Sequence, residues 1–380
     1  MLFNSGNECP KPYVLWTAYG LLSAAASHGI FYEEGQIFVR CDTYIILVGT
    51  SGSRKTSAVS FGLQLLRKAI PDISISGDNE TYQSILTYLA SPLATRSYDF
   101  NGQKVEYKPY NIFADELMDY IQNNPIGIVK FLTAVYGKPS YIYRLKNEDI
   151  DINHPYVTML SGCVPDWFSD QIQAKQFSEG YGRRSIIICH EGITRKKPVF
   201  TAASKHAEEL CIQRLSEIRQ LIGRMTLDKD ADDFFWHWYT TQKDPPDRFL
   251  KNWYSSRHIN LLKIAMLTSL SERNDLKVTL NDVKLALGLI NEVEHNIPLI
   301  TAKMGRSETN AAAMLIINLL RENDGRMLEC DLKKITYKEF KNGLEQFATI
   351  RDLQQTQQIV CVTEKVENVD RRFVYLPKIK

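Results

Sequence analysis

The segment from residue 43 to residue 56, TYIILVGTSGSRKT, constrains the fold of this chain more than any other feature. Its apolar run up to Val48 is typical of a strand that is buried on both faces of a parallel sheet. A turn rich in glycine and serine follows, and Lys55 and Thr56 then open a segment with helical periodicity. A strand, a glycine-rich turn and a helix in this order predict a loop whose backbone N–H groups bind phosphate.

We expect this loop to bind ATP and Mg²⁺. Lys55 is predicted to reach the β- and γ-phosphates, and the Thr56 hydroxyl is predicted to bind Mg²⁺. One departure is Arg54, which stands immediately before the lysine, where the usual pattern has glycine. The alternative is a Ser/Gly turn that binds no ligand. The predicted ATP-binding loop consists of Gly49, Thr50, Ser51, Gly52, Ser53, Arg54, Lys55 and Thr56.

A second apolar run, residues 110–114, ends in the acidic pair Asp115-Glu116. Asp115 is predicted to hold Mg²⁺, and Glu116 is predicted to polarise the attacking water as a general base. Lys55, Asp115 and Glu116 are therefore candidate catalytic residues. The alternative is a helix N-terminus, which favours acidic side chains electrostatically. The position of the pair downstream of a phosphate loop favours the catalytic interpretation.

Two arginines, Arg183 and Arg184, lead directly into the apolar run SIIICH. Hydrolysis builds negative charge on the γ-phosphate, and a guanidinium supplied by a neighbouring subunit stabilises such charge. We favour Arg184 over Arg183 for this catalytic role because it adjoins the predicted strand. The alternatives are a solvated loop or contacts with a DNA backbone.

Two further polar residues are predicted to contact the nucleotide. Ser161, which follows an apolar run, is a candidate sensor of the γ-phosphate, with Thr158 as second choice and an ordinary strand-end serine as the alternative. Arg257 opens a helical stretch and is predicted to fold back onto the nucleotide, the alternative being a surface arginine at a helix start.

Strands alternating with helices predict an α/β architecture, a P-loop core of the AAA+/RecA-like type with a parallel sheet. Within it, the pattern predicts a helix over residues 55–69, a strand at residues 73–75, and a further helix through Ala90 with Asp78 as its N-cap. We expect this core over residues 1–200 and a helical lid over residues 201–305. Two helices followed by a β-hairpin, the order of a winged helix, are predicted over residues 306–380, with the helices at residues 310–322 and 337–347. Two segments are open as DNA-contacting loops, Asn101–Lys104 and Gln171–Glu179.

Composition excludes several classes of protein. The seven cysteines are scattered singly and form no CxxC pair, so neither a zinc ribbon nor a disulfide framework is expected, and a reducing cytoplasm fits. No apolar run of about 18 residues and no signal peptide is present, which predicts a protein without membrane association. The net charge of +2 permits a local basic patch without requiring one.

Taken together, these motifs resemble a P-loop ATPase domain family of uncharacterised function found in phage and mobile-element primase–helicase proteins. The layout is also similar to AAA+ replicative helicases of the minichromosome-maintenance type. The resemblance covers about residues 10–300 and rests on PYVLWTAYGLLSAAASHG, LVGTSGSRKTSA, FADEL, HPYVTMLSGCVPDWF, SEGYGRRSIII, RHINLLKIAML and VTLNDVKLAL, in that order. Members of this family commonly carry a residue such as arginine before the loop lysine.

The resemblance implies an ATP-dependent DNA helicase or translocase of phage or mobile-element replication. It further implies a homo-oligomer, expected as a hexameric ring, that acts on single-stranded DNA in the host cytoplasm beside a separate primase. Two other functions are compatible with the same motifs. One is a nucleotide-binding switch whose winged helix binds DNA, and the other is an ATPase that remodels or loads other proteins.

Overall fold

The structure is a computed structural model that describes most of the chain in stretches separated by gaps. The described residues are 8–77, 80–121, 125–144, 149–165, 180–190, 205–243, 245, 248–301, 315–317, 319–321, 323, 325–340, 342–366 and 369–377. The chain divides into two units, residues 1–301 and residues 302–380. The helical region expected over residues 201–305 therefore belongs to the same unit as the loop, up to residue 301.

The first unit contains strands and helices along its whole length. Its strands are β1 (Ile30–Glu34), β2 (Ile37–Arg40), β3 (Tyr44–Val48), β4 (Arg96–Phe100), β5 (Gln103–Ala114), β6 (Ser140–Arg144), β7 (Asp149–Asn153), β8 (Pro155–Cys163), β9 (Ser185–Cys189), β10 (Gly223–Leu227) and β11 (Lys277–Val278). Its helices are α1 (Lys11–Ala26), α2 (Lys55–Ala69), α3 (Tyr82–Ala90), α4 (Leu117–Ile121), α5 (Pro125–Val135), α6 (Lys205–Gln220), α7 (Lys229–Thr241), α8 (Arg248–Glu272) and α9 (Leu280–Thr301). A short helical turn, Gly182–Arg184, precedes β9.

A five-stranded sheet with the order β4-β5-β8-β3-β9 forms the centre of this unit. Strands β5, β8, β3 and β9 are parallel, and β4 runs antiparallel to β5. Every residue of β3 is buried, as its continuous apolar run predicts. The α/β class and the buried strand before the loop are thus confirmed. The strand expected at residues 73–75 is reduced to a single parallel bridge between Ile75 and Asn111.

The register of the parallel strands brings their carboxyl ends to one edge of the sheet. Val48 pairs with both Cys163 and Cys189, and Ala114 pairs with Ser161. The residues that follow β3, β5 and β8 therefore meet at this edge, which we call the carboxyl edge. The opposite, amino edge carries the residues that precede β3 and β9, because Tyr44 pairs with Ser185.

A second sheet, with the order β11-β10-β1-β2, was not expected from the sequence. The region over residues 201–305, expected to be a helical lid, contributes β10 and β11 as well as helices. Strand β10 pairs in parallel with β1, and Ile30 lies opposite Gly223. The partner strand is far away in sequence, so this pairing leaves no local signal.

One helix start differs from expectation. Asp78, the expected N-cap of α3, lies outside the described residues, and the helix begins at Tyr82. Thr81 caps it, since its hydroxyl accepts a hydrogen bond from the Ser84 N–H at 3.1 Å.

The second unit combines helices with a small antiparallel sheet. Residues 315–317 and 319–321 are helical. The further elements are β12 (Arg326–Leu328), α10 (Glu329–Thr336), α11 (Gly343–Gln355), β13 (Val360–Val366) and β14 (Val369–Tyr375). The sheet order is β12-β14-β13. A core of its own holds the unit together, formed by Ile316, Ile317, Leu320, Leu332, Phe340, Ile350, Leu353, Ile359 and Val374.

The helix expected at residues 337–347 is wrong in both bounds. Residues 337–339 form a 3₁₀ turn, and α11 runs from Gly343 to Gln355. The start is fixed by Asn342, whose side-chain oxygen accepts hydrogen bonds from the N–H groups of Leu344 and Glu345, both at 3.0 Å. An asparagine cap satisfies the free donors of the first turn. In the part of the chain that the structure describes, no helix is both long and apolar enough to cross a membrane.

Candidate active site

Gly49 begins the predicted phosphate loop in a position that only glycine can occupy. A Cβ atom on this residue would overlap the Tyr13 hydroxyl and lie 2.7 Å from the carbonyl oxygen of His190. Its own N–H donates to the Cys163 carbonyl at 3.1 Å, which ties the loop to the end of β8. Gly52 has a φ of +81°, a region that favours glycine. Both glycines of the motif therefore have a backbone reason for being glycine.

Tyr13 on α1 fixes the backbone at the start of the loop. The sequence around Tyr13 does not indicate this role. Its hydroxyl lies 2.8 Å from the Val48 carbonyl and 3.0 Å from the His190 carbonyl. Burial raises the pKa of Tyr13 to about 12, so the hydroxyl keeps its proton and acts as a donor. One side chain thus holds together the carboxyl ends of β3 and β9, between which the loop starts.

Arg54 adopts the backbone conformation that glycine usually supplies before the loop lysine. Its φ is +70°, in the left-handed region, which costs a non-glycine residue roughly 1 kcal/mol. The guanidinium is held by Glu8, with Nη2 and Oε2 2.6 Å apart. The arginine is therefore anchored to the segment before α1, and the loop keeps its left-handed residue without glycine.

Lys55 lies beneath the loop with only 4% of its surface exposed. Its ammonium donates to the carbonyl oxygens of Gly49 at 2.6 Å and Thr50 at 3.0 Å. Burial lowers the pKa of Lys55, and the nearby charge of Glu116 opposes this shift. Arg54, at the N-cap of α2, gives no side-chain hydrogen bond to the first turn. The positive end of the α2 helix dipole and the Lys55 ammonium therefore lie close together at the loop.

The acidic pair lies at the same edge of the sheet as the loop. Asp115 is exposed, and its Oδ1 accepts a hydrogen bond from the Ser60 hydroxyl at 3.0 Å. Ser60 lies one helical turn beyond Thr56, so Asp115 faces the first turns of α2. Glu116 is close enough to affect the pKa of Lys55. The structure therefore places the two acids beside the first turns of α2 and beside Lys55, whereas their catalytic and metal-binding roles stay predictions.

Gly162 on β8 completes this convergence. A Cβ atom there would overlap the carbonyl oxygen of Asp115 and lie 3.3 Å from the Lys55 Cβ. The close approach of the loop helix to the acidic pair thus depends on a missing side chain. A cavity of about 330 Å³ adjoins the acidic pair and is lined by Ser60, Leu63, Gln64, Arg67, Phe113, Ala114, Asp115 and Glu116.

Ser161 is fully buried, and its hydroxyl has no hydrogen-bond partner among the described residues. Neighbouring strand residues point to opposite faces of a sheet. Since Gly162 faces Lys55, Ser161 faces the other side. Thr158, the second choice, donates to the Asn111 side chain at 2.7 Å within the sheet. The γ-phosphate contact of Ser161 stays a prediction.

The two arginines before β9 lie at the amino edge, away from the loop. The Arg184 guanidinium donates to the Gly180 carbonyl at 2.8 Å and lies 5.8 Å from the centre of the Tyr136 ring. Burial and the neighbouring charge of Arg183 lower the pKa of Arg184. The structure therefore separates these arginines from Lys55 within one chain.

Arg257 is enclosed within the helical region. Its guanidinium lies 5.0 Å from the Trp238 ring and 4.7 Å from the Tyr254 ring. It pairs with Glu294, and its Nη2 donates to the Asn291 side chain at 2.8 Å. These contacts hold α7, α8 and α9 together, whereas the predicted nucleotide contact of Arg257 stays a prediction.

Of the two candidate DNA-contacting segments, Asn101–Lys104 spans the turn and the start of β5 in the β4–β5 hairpin. The other, Gln171–Glu179, lies outside the described residues.

No protein-family model matches this chain, and no characterised protein matches its sequence. Function is therefore inferred from the residues of the site and from their geometry.

Proposed function

We propose that this chain is a P-loop ATPase with an AAA+/RecA-like core that hydrolyses ATP at the interfaces of a homo-oligomeric ring. The work done by hydrolysis is unwinding of DNA, or translocation along it, in phage or mobile-element replication. The observation that carries the proposal is the position of β8, which lies between the strand of the loop and the strand of the acidic pair.

The strand order matters because it sets the distance between the γ-phosphate over the loop and Glu116, the proposed general base. Neighbouring strands are about 4.8 Å apart, so the ends of β3 and β5 are separated by roughly 10 Å. That gap suits a γ-phosphate over the loop and an attacking water beside Glu116. Glu116 accepts the proton of this water as it attacks.

The loop residues fit a triphosphate. The free N–H groups at the start of α2 and the Lys55 ammonium supply positive charge where phosphates would lie. Lys55 exchanges its bonds to the loop carbonyls for bonds to phosphate oxygens. Mg²⁺, when bound, neutralises charge on these oxygens, and it needs only one or two protein ligands. Thr56 and Asp115 fit that requirement, since Thr56 lies one helical turn before Ser60, whose hydroxyl donates to Asp115.

The second unit (unit 2, residues 302–380) supports the proposal that the protein acts on DNA. Its order of a helical stretch, β12, α10, α11 and the β13–β14 hairpin agrees with a winged helix. The hairpin carries Lys365 and Arg371, which suit contact with a phosphate backbone, whereas Arg372 pairs with Glu329 at 2.8 Å. Hexameric assembly and a separate primase remain inferences from the family resemblance alone.

The test is the ATPase rate with and without single-stranded DNA, together with the mass of the assembly in ATP. We expect DNA to stimulate turnover and ATP to favour a ring. A protein that binds ATP without DNA-stimulated turnover would instead be a switch that binds DNA through unit 2. A protein that neither binds nor hydrolyses ATP would contradict the proposal.

One observation favours a second candidate, an ATPase that remodels or loads proteins. In a winged helix, α11 would be the helix presented to DNA, yet its exposed side chains include Leu344 and Phe347, which are 81% and 52% exposed. Ile335 and Tyr337 are exposed nearby in sequence. Apolar surface of this kind suits a protein contact better than a phosphate backbone. An active ATPase that fails to displace a strand in a helicase assay would favour this candidate.

A further inference from the structure

Tyr136, the residue that follows α5, lies between two cations. The Lys263 ammonium is 3.7 Å from the centre of its ring, and the Arg184 guanidinium is 5.8 Å from it. The edge-on ring of Tyr44 lies 5.0 Å away and limits its movement. The face of an aromatic ring carries negative potential and attracts both cations. The Tyr136 side chain therefore contacts three parts of the first unit. These are Tyr44 at the start of β3, Lys263 on α8, and Arg184 in the turn Gly182–Arg184, which we call the arginine turn.

Lys263 is fixed on its side of the ring. It is 2% exposed, and its ammonium donates to Asp42 twice, to the carboxylate at 2.8 Å and to the main-chain carbonyl at 2.6 Å. Burial lowers the pKa of Lys263, but Asp42 and Tyr136 outweigh burial and raise it overall, so the side chain stays charged. This ammonium therefore provides a rigid anchor for the Tyr136 ring.

Helix α8 also holds the arginine turn directly. Asn260 lies one turn before Lys263 on this helix, and its side-chain N–H donates to the Arg183 carbonyl at 3.2 Å. Two residues on the same face of α8 thus contact both the arginine turn and Asp42, which lies two residues before β3. The orientation of Arg184 depends on this helix rather than on its own strand alone.

Without the Tyr136 ring, the environment of the Arg184 guanidinium would be unfavourable for its positive charge. It is partly buried, and the charge of Arg183 is close by; both effects lower its pKa. The hydrogen bond to Gly180 and the ring of Tyr136 oppose these unfavourable terms.

We propose that Tyr136 is a positioning residue, which holds Arg184 in the orientation that serves the active site of the neighbouring subunit. This inference rests on the proposed function. Tyr136 itself contacts neither the loop nor the acidic pair in the described residues. Its loss is therefore expected to impair hydrolysis in the neighbour's site and to leave nucleotide binding in its own site intact.

The matched variants are Tyr136→Leu, which removes the ring, and Tyr136→Phe, which keeps it. We expect Tyr136→Leu to lower kcat by roughly three- to thirtyfold, the range expected from loss of a cation–π contact. The KM for ATP stays within about twofold, since the nucleotide binds at the carboxyl edge. Tyr136→Phe restores the rate. Equal rates for the leucine and phenylalanine variants would overturn the proposal.

Mixed assemblies give the decisive test. Tyr136→Leu mixed with Glu116→Gln regains activity, because some interfaces join an intact Glu116 to an intact, correctly held Arg184. Tyr136→Leu mixed with Arg184→Ala regains none, because both defects impair the same arginine. The reverse pattern would mean that Tyr136 serves its own subunit's site, and the proposal would be wrong.

A second variant covers the case in which Tyr136→Leu does not fold. Tyr136→trifluorophenylalanine has a ring of about the same shape as that of Tyr136→Phe. Its fluorine atoms weaken the negative potential on the face of the ring. A rate equal to that of Tyr136→Phe would contradict the proposal. The test also separates the two levels of inference. If Arg184→Ala is as active as the wild type, the interface mechanism fails; if Arg184→Ala is inactive and both ring-weakened variants are normal, only the role of Tyr136 fails.

Discussion

Arg184 and Lys55 lie at opposite edges of the five-stranded sheet, Arg184 at the amino edge and Lys55 at the carboxyl edge. Arg184 precedes Ser185, which pairs with Tyr44 at the start of β3, whereas Lys55 follows the loop after Val48. Five paired residues separate the two edges, a span of roughly 15 Å. The Arg184 guanidinium also contacts Gly180 at its own edge. An arginine finger acting within its own subunit does not fit this geometry.

The first prediction follows from this separation. Arg184→Ala is expected to lower ATP hydrolysis by roughly 10³-fold or more, because an arginine finger acts on transition-state charge. ATP affinity, measured with a fluorescent nucleotide, stays within a few fold of the wild type. For the wild type, turnover rises more steeply than linearly with protein concentration until rings are full. Arg183→Ala is the matched comparison and is expected to have the smaller effect.

Mixing tests the same prediction independently. Arg184→Ala and Glu116→Gln proteins are each inactive, and some interfaces in a mixed ring combine both intact residues. Activity should therefore return in part. No recovery in rings shown to be mixed would mean that Arg184 does not act across the interface.

The second prediction concerns the general base. Glu116→Gln keeps the shape of the side chain and removes its ability to accept a proton, so hydrolysis falls by roughly 10²- to 10⁴-fold while ATP binding persists. Glu106→Gln is the control, because Glu106 is an exposed carboxylate on β5, the strand that Glu116 follows, and bonds only Lys104 among the described side chains. Hydrolysis at the wild-type rate by Glu116→Gln would remove this residue from the mechanism.

Local pattern predicted the centre of the fold well. The helix expected over residues 55–69 has those bounds in the structure, because its start is set by the loop and its end by the nearby Pro71. Strands β8 and β9 were predicted because each contains a short, mainly apolar run, residues 156–160 in β8 and residues 186–189 in β9. The approach of Lys55 to the acidic pair followed from the parallel register of the strands that carry them.

Contacts between segments that lie far apart in the chain could not be predicted from the sequence. Tyr13 reads as one apolar residue of an amphipathic helix, yet it binds the ends of two strands. The pairing of Lys263 with Asp42 joins residues 221 positions apart. Strand β10 is five residues long and depends on β1 for its pairing. Such features depend on where the chain brings segments together, which periodicity does not reveal.

The third prediction concerns the backbone at Arg54. Because its φ is +70°, Arg54→Gly is expected to be more stable than Arg54→Ala by about 1 kcal/mol; both lose the pair with Glu8, but only glycine relieves the left-handed strain. Urea unfolding followed by tryptophan fluorescence measures the difference.

Gln64 supplies the control for that comparison. It is exposed in the interior of α2, where backbone angles are helical. There the order reverses, and Gln64→Ala should be more stable than Gln64→Gly by about 1 kcal/mol. If alanine were also the more stable substitution at position 54, the left-handed conformation of Arg54 would be wrong.

The last prediction rests on a buried histidine outside the candidate active site. His28 is 2% exposed, its Nδ1 lies 3.0 Å from the Tyr98 hydroxyl, and its ring stacks on Tyr107. Burial, the charge of Arg40 and the nearby His154 lower the pKa of His28 to about 2. The imidazole is therefore neutral in the folded protein at any pH at which the protein is handled.

In the unfolded chain the pKa of His28 returns to about 6.5, so between pH 6.5 and pH 2 the unfolded state binds a proton that the folded state does not. The contribution of His28 to stability is then fully present above pH 6.5 and is lost as the pH falls, by up to about 1.4 kcal/mol per pH unit. His28→Gln, which cannot titrate, should flatten the decline in unfolding free energy between pH 6.5 and pH 4.5. Replacing the exposed His206 by glutamine should leave the slope unchanged. Urea unfolding at a series of pH values measures both, and equal slopes for His28→Gln and the wild type would show that His28 is protonated without penalty in the folded protein.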